Sequence, residues 1–577
     1  MTSATRSATA ADAEATTREP VGASSVERRE AAAPSAPSAP SAPSAPSVER
    51  REPRADSRKP SAADRPSTLR DPALARSPLT TTDGTPAGVV HLVAELAPYA
   101  RTGGLGEAVA SLAAFQAASG MPTAVIMPLY RQVRNKGVAL EPVGDPFVVH
   151  VGFRAEQAQL FRVAPYQPTP EAPERRRVPR PAIYFIHNAH YFDRPGIYGE
   201  GGDYPDNARR FAFFCAAALA ALPRVATGPL ILHSHDWHTA LATIYLRTWY
   251  AGHPYHQEVS TVLSVHNAGY QGHFSPQTMA EVGLPWELYN VDQLEWYGKV
   301  NLLKGGMAFA DAVTTVSRSH ANELRTPGGG FGLHDAFLAL RDRFVGIVNG
   351  IDQRIWDPET DPHIAANYSA ADPQKKAVCR AALQRGYGLP VRDGIPIFGM
   401  SARLVAQKGL DLILAETGFF GLDAQFIFLG AGERRDEEAL GRAARRWPDK
   451  LRVDTAFRDV KEHHLMAGGD ILLMPCQYEP CGLTQMRAQR YGMLPLARCV
   501  GGLADTVEDG VTGFLFDEYD PGAFARAAAR AVRQYHDRAG WARMVREAMS
   551  RDFAWERSEE RYFSVYRGVL AAGWPHR

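Results

Sequence analysis

Val89-Val90-His91-Leu92-Val93-Ala94 is followed, eight residues on, by Gly103 within Arg101-Thr102-Gly103-Gly104-Leu105-Gly106-Glu107. The first run is apolar and rich in β-branched residues, the pattern of a buried strand. Downstream, Glu107 to Ala118 is rich in Ala and Leu and free of Gly and Pro, which predicts a helix. The glycines between them let backbone come close to a ligand. A helix start adds unpaired N–H groups and a partial positive charge. With the fixed cation of Arg101, the arrangement suits a diphosphate. The competing reading is a tight strand-to-helix turn that holds nothing. A dinucleotide fingerprint is a poor match, because Val109 stands at its third small position and the strand ends too far upstream.

Outward from this point, the chain repeats the same alternation. Apolar runs at Thr123–Met127, Ala182–Ile186, Leu230–Leu232, Thr261–Val265, Ala312–Val316 and Phe344–Val348 are separated by longer Ala- and Leu-rich segments. The pattern restarts at Ile395–Met400 and continues through Gln425–Leu429, Ile471–Met474 and Leu494–Leu496. Alternation of this kind predicts parallel α/β units, here in two successive doubly wound domains. The polar stretch Asn349 to Gly394 carries or follows the boundary. Gly501-Gly502-Leu503-Ala504-Asp505 echoes Gly103 to Glu107, which places a glycine pair before a helix in each block. Doubly wound sheets bind ligands beyond the carboxyl ends of their strands. Two such sheets face to face make a cleft for a nucleotide sugar and an acceptor.

The chain has 577 residues, enough for two or three domains, and a net charge of +1. That balance gives no field for nucleic acid or an anionic membrane, and no apolar run is long enough to span a bilayer. Five cysteines, Cys215, Cys379, Cys476, Cys481 and Cys499, fit free thiols in a reducing cytoplasm better than a disulfide framework. Residues 1–85 differ in kind. Ala, Ser, Pro, Thr and Arg dominate, and Val26–Glu30 returns as Val48–Glu52. Such a segment cannot bury enough apolar surface to offset its ordering entropy, so a disordered tail is expected. Asp12, Glu14 and Glu19 argue against a transit peptide.

Four further stretches carry chemistry. His233-Ser234-His235-Asp236-Trp237-His238 follows a strand; a metal site, a sugar-facing loop and a structural histidine cluster all compete for it. His266-Asn267-Ala268-Gly269 follows the next strand and reads as a polar site or a capped turn. Arg403 and Lys408 flank one loop, where a guanidinium fork and a point charge converge on an anion. Glu479-Pro480-Cys481-Gly482-Leu483-Thr484 starts a helix with an acid in front of it. It reads as a plain cap or as a carboxylate beside free N–H groups.

In their order, these motifs resemble the bacterial glycogen synthases and plant starch synthases, retaining glucosyltransferases with two Rossmann-like domains facing a cleft (the GT-B type). The likeness runs from about Gly88 to the C-terminus and includes Asn349-Gly350-Ile351-Asp352 with Trp356. It implies an enzyme moving glucose from ADP-glucose to the non-reducing end of glycogen or another α-1,4-glucan, with no metal and no other cofactor. It implies a domain at 86–347 on the acceptor side and a nucleotide-sugar domain at 348–555. A terminal helix at 556–577 would pack back on the first domain.

Carried over by position, Asp236 and His266 lie beside the donor glucose, and Arg403 and Lys408 hold the diphosphate. Glu479 sits close to the reacting sugar, and backbone from Cys481 through Gly482 and Leu483 to Thr484 contacts glucose and phosphate. Gly103 and Gly104 close over the phosphates. Phe457 replaces the family's tyrosine on adenine. Tyr198, His238 and Asn267 supply further contacts. Three positions of the first motif depart from the family: Arg101 stands for its lysine, Gly106 for its alanine and Glu107 for its aspartate, which leaves donor choice open. A non-catalytic glucan-binding relative and a UDP-glucose enzyme with another acceptor are the alternatives. The sequence does not indicate an oligomeric state.

Overall fold

The computed structural model describes residues 79–81, 84–164, 179–415 and 418–572. Two sheets organise them. In the first, seven parallel strands lie in the order Phe344–Gly346, Ala312–Thr315, Val259–Val265, Leu230–His235, Gly88–Leu92, Thr123–Pro128 and Ala182–His187. The chain order turns at Gly88–Leu92, which has the later strand Leu230–His235 on one side and Thr123–Pro128 on the other. The second sheet has six parallel strands: Leu451–Asp454, Gln425–Leu429, Ile397–Ser401, Ile471–Met474, Leu494–Arg498 and Phe514–Phe516. Counted from its own first strand the order is 3-2-1-4-5-6. That is the Rossmann order, with its switch point between Ile397–Ser401 and Ile471–Met474.

The expected strands appear because they are buried on both faces, so apolar runs mark them directly. The strand before His233 runs on through His235, further than its apolar residues indicate. Three strands at the outer edge of the first sheet depart from the expected parallel pattern. Arg154–Val163 pairs antiparallel with Ala182–His187, Leu140–Pro142 and Phe147–Val151. Leu140–Pro142 and Arg154–Val163 interleave polar or charged residues with apolar ones, and Phe147–Val151 is short and partly exposed.

Each sheet has its own core. A third cluster joins the far face of the first sheet to the helix Glu556–Ala572. There Tyr562, Phe563, Tyr566 and Val569 meet Val89, Ile231, Val262 and Leu112. These positions recur at helical spacing, so one face of the helix is apolar. Trp555 closes the approach, its Nε1 donating to Ser111 Oγ at 2.6 Å.

The start of the folded chain also differs from expectation. Leu79 is buried in the third cluster and Thr80 bridges to Pro86, so residues 79–81 and 84–85 do not belong to a disordered tail. Residues 1–78, where the rest of the expected tail falls, lie outside the described residues.

Candidate functional site

The switch points of both sheets open on one cleft of about 950 Å³. All the residues carried over by position from the family line it. From the first sheet come Arg101, Gly103, Gly104, Glu107, Tyr198, Asp236, His238, His266 and Asn267. From the second come Arg403, Lys408, Phe457, Glu479, Cys481, Gly482, Leu483 and Thr484.

On the second wall the two loops after the switch-point strands touch. Gly409 has φ +72, and a Cβ there would lie 1.9 Å from the carbonyl oxygen of Pro475. Only glycine permits so close an approach in that conformation. The contact brings Lys408 Nζ to 2.6 Å from Glu479 Oε2, with both side chains largely buried. Burial pulls the Lys408 ammonium down, but the Glu479 carboxylate outweighs it, so its pKa lies above the ordinary lysine value. Arg403 is exposed on the same wall and forms no ion pair among the described residues. The helix Thr484–Arg490 begins beside Glu479 with no side chain capping its first N–H groups. Phe457 stands at the rim, 43 % exposed, as a ring with an open face.

On the first wall the helix Gly104–Ala118 also starts without a side-chain cap. The loop before it is already held. Glu95, just beyond the strand Gly88–Leu92, accepts from the N–H of Thr102 at 2.6 Å and of Gly103 at 3.1 Å. It also accepts from Thr102 Oγ1 at 2.8 Å and Tyr198 Oη at 2.6 Å. The Gly103 N–H is therefore committed to a carboxylate, and the donors left for an anion begin at Gly104. Tyr198 acts through Glu95, while its ring stacks on His238 at 4.6 Å.

Asp236 has φ 59 and ψ −178, a region that only glycine visits freely. Its Oδ1 accepts from the His266 N–H at 2.7 Å and weakly from the Asn267 N–H at 3.4 Å. Burial pushes the Asp236 carboxyl up to about 7 against the pull of those N–H groups. Strain of this kind, on the order of 1–3 kcal/mol, persists only where surrounding contacts over-determine it.

The His233–His238 segment divides. Asp236, Trp237 and His238 face the cleft, while His233 and His235 turn into the sheet and stack at 4.3 Å. With His91 they bring ring nitrogens within 4.8 Å of one another, a metal-like grouping. All six of those nitrogens, however, lie within hydrogen-bond distance of a protein group. That is the geometry of a hydrogen-bonded cluster.

Residues the sequence reading missed bridge the two walls. Arg101 pairs with Glu107 beside it and with Asp459 opposite. Glu107 also pairs with Arg487, which lies 3.5 Å from Glu462. Tyr478 hydrogen-bonds Asn267 across the opening. No local spacing announces these partners. Only Glu95 carried a signal, an acid at a strand's carboxyl end. Both glycine pairs open a helix, as their likeness implies, but only the first lies in the cleft. The Gly501 N–H donates to Glu323 Oε1 at 2.7 Å, outside the cleft, because that carboxylate from the first block already occupies the helix start.

Residues 88–339 match the family described as starch synthase catalytic domain, and 389–548 match glycosyl transferases group 1. The facing switch points are thus those of a two-domain glycosyltransferase. Over 491 residues the chain is 41% identical to glycogen synthase of Anaeromyxobacter sp. strain Fw109-5, spanning 84% of this chain and 99% of that one. Against glycogen synthase of Anaeromyxobacter dehalogenans strain 2CP-1 the identity is 42% over 494 residues, with the same coverage of 84% and 99%. The chain belongs to the glycogen synthase and starch synthase family. Its structure is similar to the catalytic domain of Starch Synthase IV from Arabidopsis thaliana bound to ADP and acarbose. The TM-score is 0.76 at 32% identity, over 84% of this chain and 99% of that one. Sucrose-phosphate synthase from Thermosynechococcus elongatus shares the fold, with TM-score 0.52 and 17% identity over 84% and 100% of the two chains.

Proposed function

We propose that this glycosyltransferase moves glucose from ADP-glucose to the non-reducing end of an α-1,4-glucan, with retention at the anomeric carbon. The observation that carries the reading is the second wall. There Arg403, without an ion-pair partner among the described residues, Lys408 and an uncapped helix start surround one spot beside Glu479. A diphosphate there meets a guanidinium fork, an ammonium and backbone N–H groups. Phe457 offers its open face to the base.

As the bond between sugar and phosphate breaks, its electron pair goes to the phosphate oxygen. Positive charge develops on the sugar ring. Lys408 and Arg403 stabilise the first charge, and they cost no reorganisation because they are already in place. Lys408 exchanges Glu479 for phosphate as the donor enters. That leaves the Glu479 carboxylate to face the developing sugar cation. The acceptor hydroxyl attacks from the side the phosphate leaves and gives its proton to the departing phosphate oxygen, which preserves configuration. Asp236 holds the His266 backbone, and so that residue's place beside the sugar.

The same proposal divides the folded chain near 347/348, with the helix from 556 returning to the first sheet; the separate cores and the third cluster support it. It also places the enzyme in the cytoplasm, since five unpaired cysteines suit a reducing compartment. Among the described residues no helix is long and apolar enough to cross a membrane. The test is transfer of radiolabelled glucose to glycogen from ADP-, UDP- and GDP-glucose. ADP-glucose is expected to dominate kcat/KM. Dominance of UDP-glucose, or no transfer from any donor, overturns the reading.

A further inference from the structure

Behind His266 a file of side chains crosses the first sheet. His266 Nε2 lies 3.0 Å from His235 Nδ1, and His235 Nε2 lies 2.9 Å from His91 Nδ1. His91 Nε2 lies 2.7 Å from Gln116 Oε1, and Gln116 Nε2 donates to Tyr566 Oη at 2.9 Å. Tyr566 Oη is 2.8 Å from His233 Nδ1, whose Nε2 is 2.7 Å from Ser264 Oγ. Apart from His266 at the cleft, every member is buried.

Each of these contacts holds one proton. A neutral imidazole has one N–H and one bare nitrogen, so it passes on the sense of the hydrogen bond it receives. The whole file must therefore run one way. Burial keeps its rings neutral: His91 is pushed down to about 4 and His266 to about 3. Gln116 alone has a fixed donor end and a fixed acceptor end. Its oxygen faces His91, so His91 carries its proton on Nε2. His235 then does the same, and so does His266. The Nδ1 of His266 is left bare, with no protein partner among the described residues.

We propose that Gln116 and Tyr566 are positioning residues that act through His91 and His235 to hold His266 as the Nε2–H tautomer, so that its bare Nδ1 accepts a hydrogen bond from a hydroxyl of the bound sugar. This rests on the cleft being the donor-sugar site. A sugar hydroxyl can donate or accept, and the tautomer decides which. A hydroxyl that donates leaves more electron density on the sugar than one that accepts, which eases a developing ring cation. The terminal helix thereby enters the active site, through Tyr566, without touching substrate.

The test is the tautomer of His266 in the full chain labelled with ¹⁵N-histidine, read from long-range ¹H–¹⁵N spectra without ligand. The signals of His266 are assigned by their loss in His266→Gln. The wild type is expected to show protonated Nε2 and bare Nδ1 from pH 6 to 9. At pH 9, where the new carboxyl is ionised, Gln116→Glu presents acceptors only, so there it should keep that tautomer and hold kcat within about threefold. Gln116→Leu removes the asymmetric group. It should give a tautomer mixture and lower kcat at least about tenfold, with the Kd of ADP within about twofold. Protonated Nδ1 in the wild type overturns the proposal. So does a fall in kcat in Gln116→Leu with the His266 tautomer unchanged, since that is a structural effect alone. Should Gln116→Leu fail to fold, the wild type and Gln116→Glu decide, and protonated Nδ1 in either overturns it. The spectra need no donor, so failure of the donor assay and failure of the tautomer assignment are separate results.

Discussion

Lys408 and Glu479 sit 2.6 Å apart in a largely buried pair, so neither can be removed without stranding the other. If Lys408 faces the leaving group as proposed, Lys408→Ala is expected to lower kcat about 10²–10³-fold and to raise KM for ADP-glucose. Glu479→Gln leaves an unpaired ammonium, so it should alter ADP affinity as well as kcat. The double variant should lose less than the product of the two, with a coupling of about 1–3 kcal/mol in a double-mutant cycle. Strict additivity would mean the pair does not act as a unit. Arg403→Lys keeps the charge and loses the fork, and should also be impaired. Arg101 poses a second question at this scale, because Asp459 and Glu107 occupy its guanidinium. On the proposed reading a diphosphate has to displace them. Asp459→Asn removes one competitor and should lower KM for ADP-glucose by about two- to fivefold; a raised KM would show that Asp459 assists the donor. Arg403, Lys408 and Glu479 were legible because each follows a strand of obvious pattern. Asp459 and Arg487 were not, since their significance lies in what faces them across the opening.

The helix Glu556–Ala572 contributes no residue to the cleft, yet it covers one face of the sheet that builds it. Burying Tyr562, Phe563, Tyr566 and Val569 stabilises the fold by roughly 6–12 kcal/mol at about 1.5–3 kcal/mol each. That is comparable with the whole stability of a typical domain. Deleting 556–577 should therefore abolish a soluble, cooperatively melting protein. A truncated chain that melts within a few degrees of the full one would refute this. The parallel strands of both sheets were legible because burial on two faces leaves an unbroken apolar run. The antiparallel edge was not. One face of Arg154–Val163 meets solvent, and its alternation is diluted by charge.

Across the whole molecule, the two walls are tied by Arg101 to Asp459 and Arg487 to Glu107. The exposed part of this set is screened by salt. Small-angle scattering of the free enzyme should show a larger radius of gyration at 1 M than at 0.05 M salt, and Glu107→Gln should enlarge it at low salt. An unchanged radius in both cases would mean other contacts hold the walls.

Stability should also fall with acid. His91 is held down to about 4, His238 and His266 to about 3, and His233 and His235 well below the usual value, all chiefly by burial. Below about pH 6.5 the unfolded chain binds protons on these rings that the native state refuses. Each uncompensated ring then costs about 1.4 kcal/mol per pH unit. Asp236, raised to about 7, works in the opposite sense: it keeps a proton the unfolded chain releases, so its contribution declines as pH rises toward 7. Five rings outweigh one carboxyl. The melting temperature should drop steeply from pH 6.5 to 4.5, and a flat profile would show that the rings titrate freely in the native state.

By itself, the sequence determined the two α/β blocks and the loops that line the cleft, because both are written in local pattern: apolar runs, glycine turns, and charges at fixed distances from strand ends. The reaction class came from the likeness of those motifs, taken in order, to the glycogen and starch synthases. Only the tertiary structure decided that Glu95 takes the Gly103 N–H, that Glu323 occupies the second glycine pair, and that His233 and His235 belong to the core. Those outcomes depend on which group of a distant segment reaches a donor first, and no spacing along one chain encodes that competition.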